Sequence, residues 1–191
     1  IRREFGQDMP LMTDANQAWT LDEACQMAPS LAEFGLAWLE EPLRADRPLS
    51  EWNTLAAACT TPLAAGENTI GDADFTKMID HAPMAVIQPD IAKWGGISGC
   101  WPVIQAIQAK GKRYCPHYLG AGVGLLASAH LLAAVGGGGL LEIDSNPNPL
   151  RSALAGPLGT IRDGAASLNE QPGLGVPIDM DKRISMYRVP H

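Results

Sequence analysis

The chain has 191 residues, 46% of them hydrophobic and 18% charged, the balance of a folded globule with one sizeable core rather than a disordered chain. A net charge of −7 argues against a nucleic-acid or anionic-membrane surface, so neither partner is expected. No apolar stretch is long enough to span a bilayer. The longest, from Val123 to Val135, is broken by Ser128 and His130 and reads as a buried helix. Cys25, Cys59, Cys100 and Cys115 form no C-x-x-C pair, which leaves neither a zinc cluster nor a redox motif and makes a reduced, cytoplasmic chain the expectation. The first residue is Ile1 rather than Met and no signal-peptide pattern follows, so the chain reads as a portion of something longer.

Strands and helices alternate along the sequence. The first strand closes at Asp14, in Pro-Leu-Met-Thr-Asp, and Thr20 then caps a helix running to about Phe34, with Gly35 as its stop. Leu-Ala-Trp-Leu-Glu40 is the second strand, followed by a short helix from Ser50 to Ala58. Pro-Leu-Ala-Ala-Gly-Glu67 is the third, and Gly71-Asp72 opens a helix that ends before Pro83. Ala-Val-Ile-Gln-Pro-Asp90 is the fourth, with Ser98 capping a helix through Ala109 and Gly111 as the stop. Arg-Tyr-Cys-Pro-His117 is the fifth, before a helix from Gly122 to Val135 and a glycine run over 136–139 that marks a turn or a close backbone approach. Gly-Leu-Leu-Glu142 is the sixth. Asn146 to Leu154 then predicts a short helix, and Arg162-Asp163-Gly164 a hairpin turn between Leu158 and Leu168. The Pro- and Gly-rich tail to His191 is expected to pack on a domain outside this chain.

Short, continuous apolar runs suit strands buried on both faces, and their alternation with helices gives an α/β class. An open doubly wound sheet gathers ligands where its strand order reverses, whereas here every strand tip carries a polar group. That pattern fits a closed βα barrel, whose active site is built at the C-terminal ends of its strands. Residues 1–145 are expected to form a partial barrel carrying the chemistry, and residues 146–191 a C-terminal helix, hairpin and tail. Six strands leave an eight-stranded ring two units short, so those units are expected before Ile1.

The six tip residues are Asp14, Glu40, Glu67, Asp90, His117 and Glu142. They recur about once every 25 positions, the length that a strand, a helix and two loops require. Asp14, Glu40 and Glu67 on three consecutive tips would repel one another unless a cation neutralised them, and hard oxygen donors in that number suit Mg²⁺, with Mn²⁺ as a substitute. Read singly, each acid serves equally well as a helix N-cap. Asp90 beside His117 makes a usable base, because a carboxylate fixes the tautomer of an imidazole and raises its pKa. Lys93 would neutralise carboxylates at the mouth, or else be a solvated loop lysine. Glu142 would exchange a proton on the far side of a substrate, or make a salt bridge in the rim. Asn16 and Asn68 follow metal-site acids closely enough to orient them or the substrate. His130 reads as core, His81 lies on the wrong face, and His191 is terminal.

These residues resemble those of the enolase superfamily, and within it the mandelate racemase branch. The likeness rests on Asp14-Ala-Asn16, Trp38-Leu-Glu40-Glu41-Pro42, Gly66-Glu67-Asn68, Gln88-Pro89-Asp90 with Lys93 and Gly95-Gly96, Pro116-His117, and Leu141-Glu142-Ile-Asp144, in order over about residues 10 to 145. The resemblance implies a modified TIM barrel, (β/α)₇β, of which this chain would cover about strands 3–8, with an α+β capping domain and the first barrel strands absent. It implies Mg²⁺ held by Asp14, Glu40 and Glu67, a His117–Asp90 catalytic dyad, and Glu142 bonding the substrate carboxylate or the enediolate. A Lys-x-Lys base on the second strand, opposite the histidine, would also be expected, and this chain does not contain that strand. Such barrels often assemble, so a homo-oligomer is expected. The chemistry so implied is removal of the proton α to the carboxylate of a small-molecule acid, most simply in dehydration of a sugar acid. A racemase or epimerase of a 2-hydroxy acid is the rival, and a fragment inactive without a partner chain is the third reading. The isolated chain is expected to expose an apolar barrel edge and associate.

Overall fold

A computed structural model describes residues 1–176; the tail expectation, with His191, falls largely outside them. The elements in chain order are α1 (Arg2–Phe5), β1 (Met12–Asp14), α2 (Leu21–Ala32), β2 (Trp38–Glu40), α3 (Leu49–Ala58), β3 (Leu63–Ala65), α4 (Asp72–His81), β4 (Met84–Ile87), α5 (Gly96–Ala109), β5 (Arg113–Tyr114), α6 (Gly122–Val135), α7 (Pro149–Leu154) and a 3-10 turn (Gly156–Gly159). Thr20 caps α2 in a reciprocal box. Its hydroxyl accepts from the Glu23 N–H at 3.3 Å, and the Glu23 carboxylate accepts from the Thr20 N–H at 2.8 Å. Asn148 caps α7 through the Arg151 N–H. The cap of α5 is not Ser98. Gly95 takes a left-handed φ of 74° and starts the helix earlier, with its Cα face closed against Gly99, and Ser98 lies inside the first turn.

All five strands are parallel and pair in the order β1-β2-β3-β4-β5. Each new strand adds on the same side as the last, so the order never reverses and a doubly wound sheet is excluded. The strands are only two to four residues long, yet they sort their side chains cleanly, because successive residues point to opposite faces. Leu39, Leu63, Ala65, Ile87 and Tyr114 join the main core with Ala24, Ala28, Leu55, Phe75, Ile79, Ile104 and Ile107 from the helices. Trp38, Ala64, Val86 and Cys115, with Met12 against them, make a separate inner cluster. Two faces, one under helices and one turned inward, are the signature of a βα barrel wall. Asp14 and Glu40 continue the inner rows of Met12 and Trp38 by one two-residue step.

The sixth expected strand, ending at Glu142, is not a strand here. Gly139, Leu140 and Glu142 lie against β5 and the residues that follow it without joining the ladder. The Leu140 N–H donates to the Cys115 thiol sulfur at 3.3 Å rather than to a carbonyl, and the Tyr118 N–H bonds the Glu142 side chain at 3.0 Å. Gly139 explains the intimacy: a Cβ there would land on the Tyr114 carbonyl oxygen and the Leu132 side chain. The expected hairpin is likewise reduced. Asp163 and Gly164 turn with positive φ, but only an isolated Arg162–Ala165 bridge flanks them, and Leu158 sits in the 3-10 turn. α6 and the 3-10 turn build a second small core from Tyr118, Leu125, Leu126, Ala129, Ala155 and Leu158. No helix among the described residues is long and apolar enough to cross a membrane.

Among the described residues β1 has a neighbour on one side only. Beside its free edge, Ile1, Leu11, Met12, Leu31, Phe34 and Leu36 line a cleft of about 400 Å³. The expectation is that the 191-residue chain self-associates through this edge in sedimentation velocity, and a single monomeric species across the concentration range contradicts it. Gly139 supplies a second expectation. Gly139→Ala should cost about 1–3 kcal/mol in urea unfolding by overpacking, whereas Gly138→Ala, whose nearest neighbour is 3.9 Å away, should stay within about 0.5 kcal/mol of the parent.

Candidate active site

The C-terminal ends of the strands gather most of the polar residues singled out in the sequence. Asp14 ends β1, and the Asn16 N–H folds back onto its Oδ1 at 2.7 Å, helped by left-handed φ values at Asn16 and Gln17. Glu40 ends β2, is 8% exposed, and accepts from the Trp38 indole N–H at 3.0 Å. Glu67 follows Gly66, whose φ is 143° and where an added Cβ would fall 2.7 Å from the Gln88 backbone nitrogen, so only glycine lets the two backbones come this close. That close approach delivers Glu67 to the centre of the rim. One of its oxygens bonds Lys93 Nζ at 2.9 Å and the other lies 3.0 Å from His117 Nε2.

Asp90 and His117 are both buried, and His117 Nδ1 lies 2.7 Å from Asp90 Oδ2. The second Asp90 oxygen accepts from the Ala92 N–H at 2.7 Å and the Lys93 N–H at 3.2 Å. Burial alone would raise the Asp90 carboxyl, but the His117 bond and these backbone donors together hold it below its usual value. For His117 burial works downward, and the Asp90 bond with the charges of Glu67 and Glu142 outweighs it, so the imidazole titrates above its usual value. Asp90, ionised, can only accept, so Nδ1 carries its proton toward Asp90 and Nε2 faces the rim. Glu142 Oε2 lies 3.9 Å from that Nε2 and is fixed by the Tyr118 N–H. Burial raises Glu142 as well.

Asp14, Glu40 and Glu67 lie close enough to disturb one another. Burial raises Asp14 and then Glu67 adds to it; burial raises Glu40, with Asp14 and Glu67 adding further. Among the described residues no three His, Cys, Asp or Glu side chains close into a metal-holding group. Glu67 instead spends its oxygens on Lys93 and His117. The donor chemistry still fits a hard divalent cation: burial and neighbouring acids disfavour the anionic forms of Asp14 and Glu40, and such an ion would relieve that.

Asn68 joins the rim too, with Nδ2 donating to Glu67 Oε1 at 3.2 Å and Oδ1 lying 3.4 Å from Lys93 Nζ. Asn16 contributes its backbone turn, and its side chain is exposed. His81 is exposed at the end of α4, and His130 lies on α6 with Nε2 buried and unpartnered, so neither joins the rim. Two residues escaped the sequence reading. Glu41 is 2% exposed, and burial, only partly offset by Asn68, pushes its carboxyl up to about 7. Gln88 is 4% exposed, its side chain bonds Glu40, and its Oε1 has no partner. Gln88 was findable, since it stands between the apolar run of β4 and Asp90, in the segment that carries the rim. A cleft of about 650 Å³ beside α3 and α4 touches the rim at Asn68 and holds none of the six tip residues.

A family model described as "Enolase C-terminal domain-like" matches residues 1–182. A mandelate racemase/muconate lactonizing enzyme from Bordetella bronchiseptica RB50 superposes with a TM-score of 0.91 at 56% identity, covering 94% of this chain and 50% of that one. The D-galactarolactone cycloisomerase of Agrobacterium fabrum is 30% identical over 199 residues, all of this chain and 52% of its own length. The L-talarate/galactarate dehydratase of Salmonella typhimurium is 31% identical over 183 residues, 96% of this chain and 44% of its own. A structure of that dehydratase liganded with Mg and L-lyxarohydroxamate has a TM-score of 0.76 at 30% identity, covering 91% of this chain and 42% of that one. The chain thus spans about half the length of the curated relatives it matches. Parallel strands in unbroken order, the rim they carry and these likenesses place the chain in the enolase superfamily, in the mandelate racemase/muconate lactonizing enzyme family.

Proposed function

We propose that the protein carrying this chain removes the proton α to the carboxylate of a sugar acid and completes a dehydration. The observation that carries the reading is the buried His117–Asp90 pair, whose outward nitrogen Nε2 opens onto the carboxylate rim. An α-proton beside a carboxylate is very weakly acidic, so the enediolate left behind must be stabilised by many kcal/mol. Mg²⁺ or Mn²⁺ held by Asp14, Glu40 and Glu67 would supply positive charge to the substrate carboxylate oxygens as that proton leaves.

The remaining work falls to the chain's own groups. Asp90 holds the imidazole by Nδ1 and stabilises its protonated form, so Nε2 can accept a proton or hand one over. In dehydration Nε2 of His117 takes the α-proton, the C–H electrons pass into the enediolate, and as these electrons then form the Cα=Cβ bond the β-hydroxyl leaves as water with that proton returned from the protonated His117. The enol then tautomerises to a keto acid. Lys93 lies on Glu67 and moderates the rim's negative charge, and Glu142, held by the Tyr118 N–H, faces the same space as Nε2. The names of relatives support a sugar acid as substrate, since one is a talarate/galactarate dehydratase and another an arabinonate dehydratase.

His117→Asn should lower α-proton exchange in deuterated water by roughly 10²–10⁴-fold, the usual contribution of a general acid–base group, while calorimetry still finds Mg²⁺ bound. Full exchange in that variant removes the dyad from the mechanism. Product analysis on an acid-sugar panel is expected to give a keto acid with one molecule of water lost. Exchange or epimerisation at Cα with no water lost identifies a racemase or epimerase instead.

A further inference from the structure

Glu41 follows Glu40 just beyond the end of β2. Its backbone is clamped on both sides. The N–H donates to the Ala64 carbonyl at 3.0 Å, and the carbonyl accepts from the Gln17 N–H at 2.7 Å. Its φ is 37°, in the left-handed region that a residue with a Cβ adopts at a cost of roughly 1–2 kcal/mol. The side chain is 2% exposed. A carboxyl group placed so deep, among other acids, weakens a fold unless its position serves a purpose.

Both Glu41 oxygens accept from one group, Asn68 Nδ2, at 3.1 and 2.9 Å. The same Nδ2 donates to Glu67 Oε1 at 3.2 Å, and Asn68 Oδ1 lies 3.4 Å from Lys93 Nζ. The polarity of that amide is therefore dictated. An ammonium only donates, so a flipped amide would set its NH₂ against Lys93 and its oxygen against the Glu67 oxygen that Lys93 already bonds. Asn68 and Lys93 are exposed at the rim, and Glu41 is the buried, backbone-clamped member of the network.

We propose that Glu41 is a positioning residue: it fixes the side-chain amide of Asn68 and, through that amide, holds Glu67 and Lys93 in register with His117. The proposal rests on reading the rim as the active site, but its tests do not require turnover. In the wild-type protein, NMR should show the Asn68 side-chain NH₂ protons exchanging at least about 10-fold more slowly than those of a solvated asparagine, which a hydrogen-bonded amide implies. Glu41→Gln should abolish that protection and weaken Mg²⁺ binding by roughly 10–100-fold in calorimetry, the usual effect of losing a partner behind a metal ligand. Its melting temperature should stay level or rise, because a buried acid has been removed. In an Asn68→Ala background, Glu41→Gln should change Mg²⁺ affinity no further.

Wild-type Asn68 protons that exchange like a solvated amide overturn the proposal, even if the variant fails to fold. So does a Glu41→Gln protein that keeps the Asn68 signature, and so do effects of the two substitutions on Mg²⁺ affinity that simply add. A wild-type protein that shows this Asn68 signature and Mg²⁺ dependence, yet exchanges no α-proton from any sugar acid, counts against the proposed function alone.

Discussion

Negative charge crowded into a half-dry space sets the terms at the mouth of this sheet. Asp14, Glu40 and Glu142 are all raised first by burial and then by one another or by Glu67. Charges of one sign brought together away from water are stable only beside opposite charge or strong donors. The structure answers from several directions. Lys93 reaches Glu67, the Trp38 indole reaches Glu40, the Tyr118 N–H reaches Glu142, and the His117 imidazole is caught between Asp90 and Glu67. Acids at the rim outnumber the partners of opposite charge, so added positive charge there would be stabilising.

Close backbone approach is the means by which the fold brings these groups within reach. Gly66 lets the chain pass against Gln88, so that Glu67 arrives beside His117 and Lys93 rather than one residue short of them. Gly139 brings residues 139–142 against β5, which carries Glu142 to the Tyr118 N–H without the help of a ladder. Helices hold the outer face through a continuous apolar core, while the inner face keeps a small cluster around Trp38 and Val86 beneath the rim. Apart from Glu142, the rim residues thus stand at a strand end or in the few residues that follow one.

The legible parts of this chain are those governed by local periodicity. Thr20 with Glu23, the glycine stops, and apolar runs ending in one acid each made the βα units visible, and α6 runs from Gly122 to Val135 as its apolar run indicated. Other features depended on a backbone conformation or on partners far along the chain. Ser98 looked like a cap, but the positive φ of Gly95 starts α5 sooner. Gly-Leu-Leu-Glu142 had the composition of a strand, yet its N–H at Leu140 went to the thiol of Cys115. Glu41 sat in plain sight within a motif, and nothing local to it indicated that its carboxyl group would be buried against Asn68.

By itself, then, the amino-acid order determined the α/β class, the spacing of the units and which residue types stand at the strand tips, because hydrophobic period, capping and turn chemistry act over a few neighbours. Tertiary structure alone decided the pairing of His117 with Asp90 at 2.7 Å, the capture of Glu67 by Lys93, and the burial of Glu41 and Gln88. Those outcomes hinge on distances between segments 20 or more residues apart, set by sheet register and by where a missing Cβ lets two backbones touch.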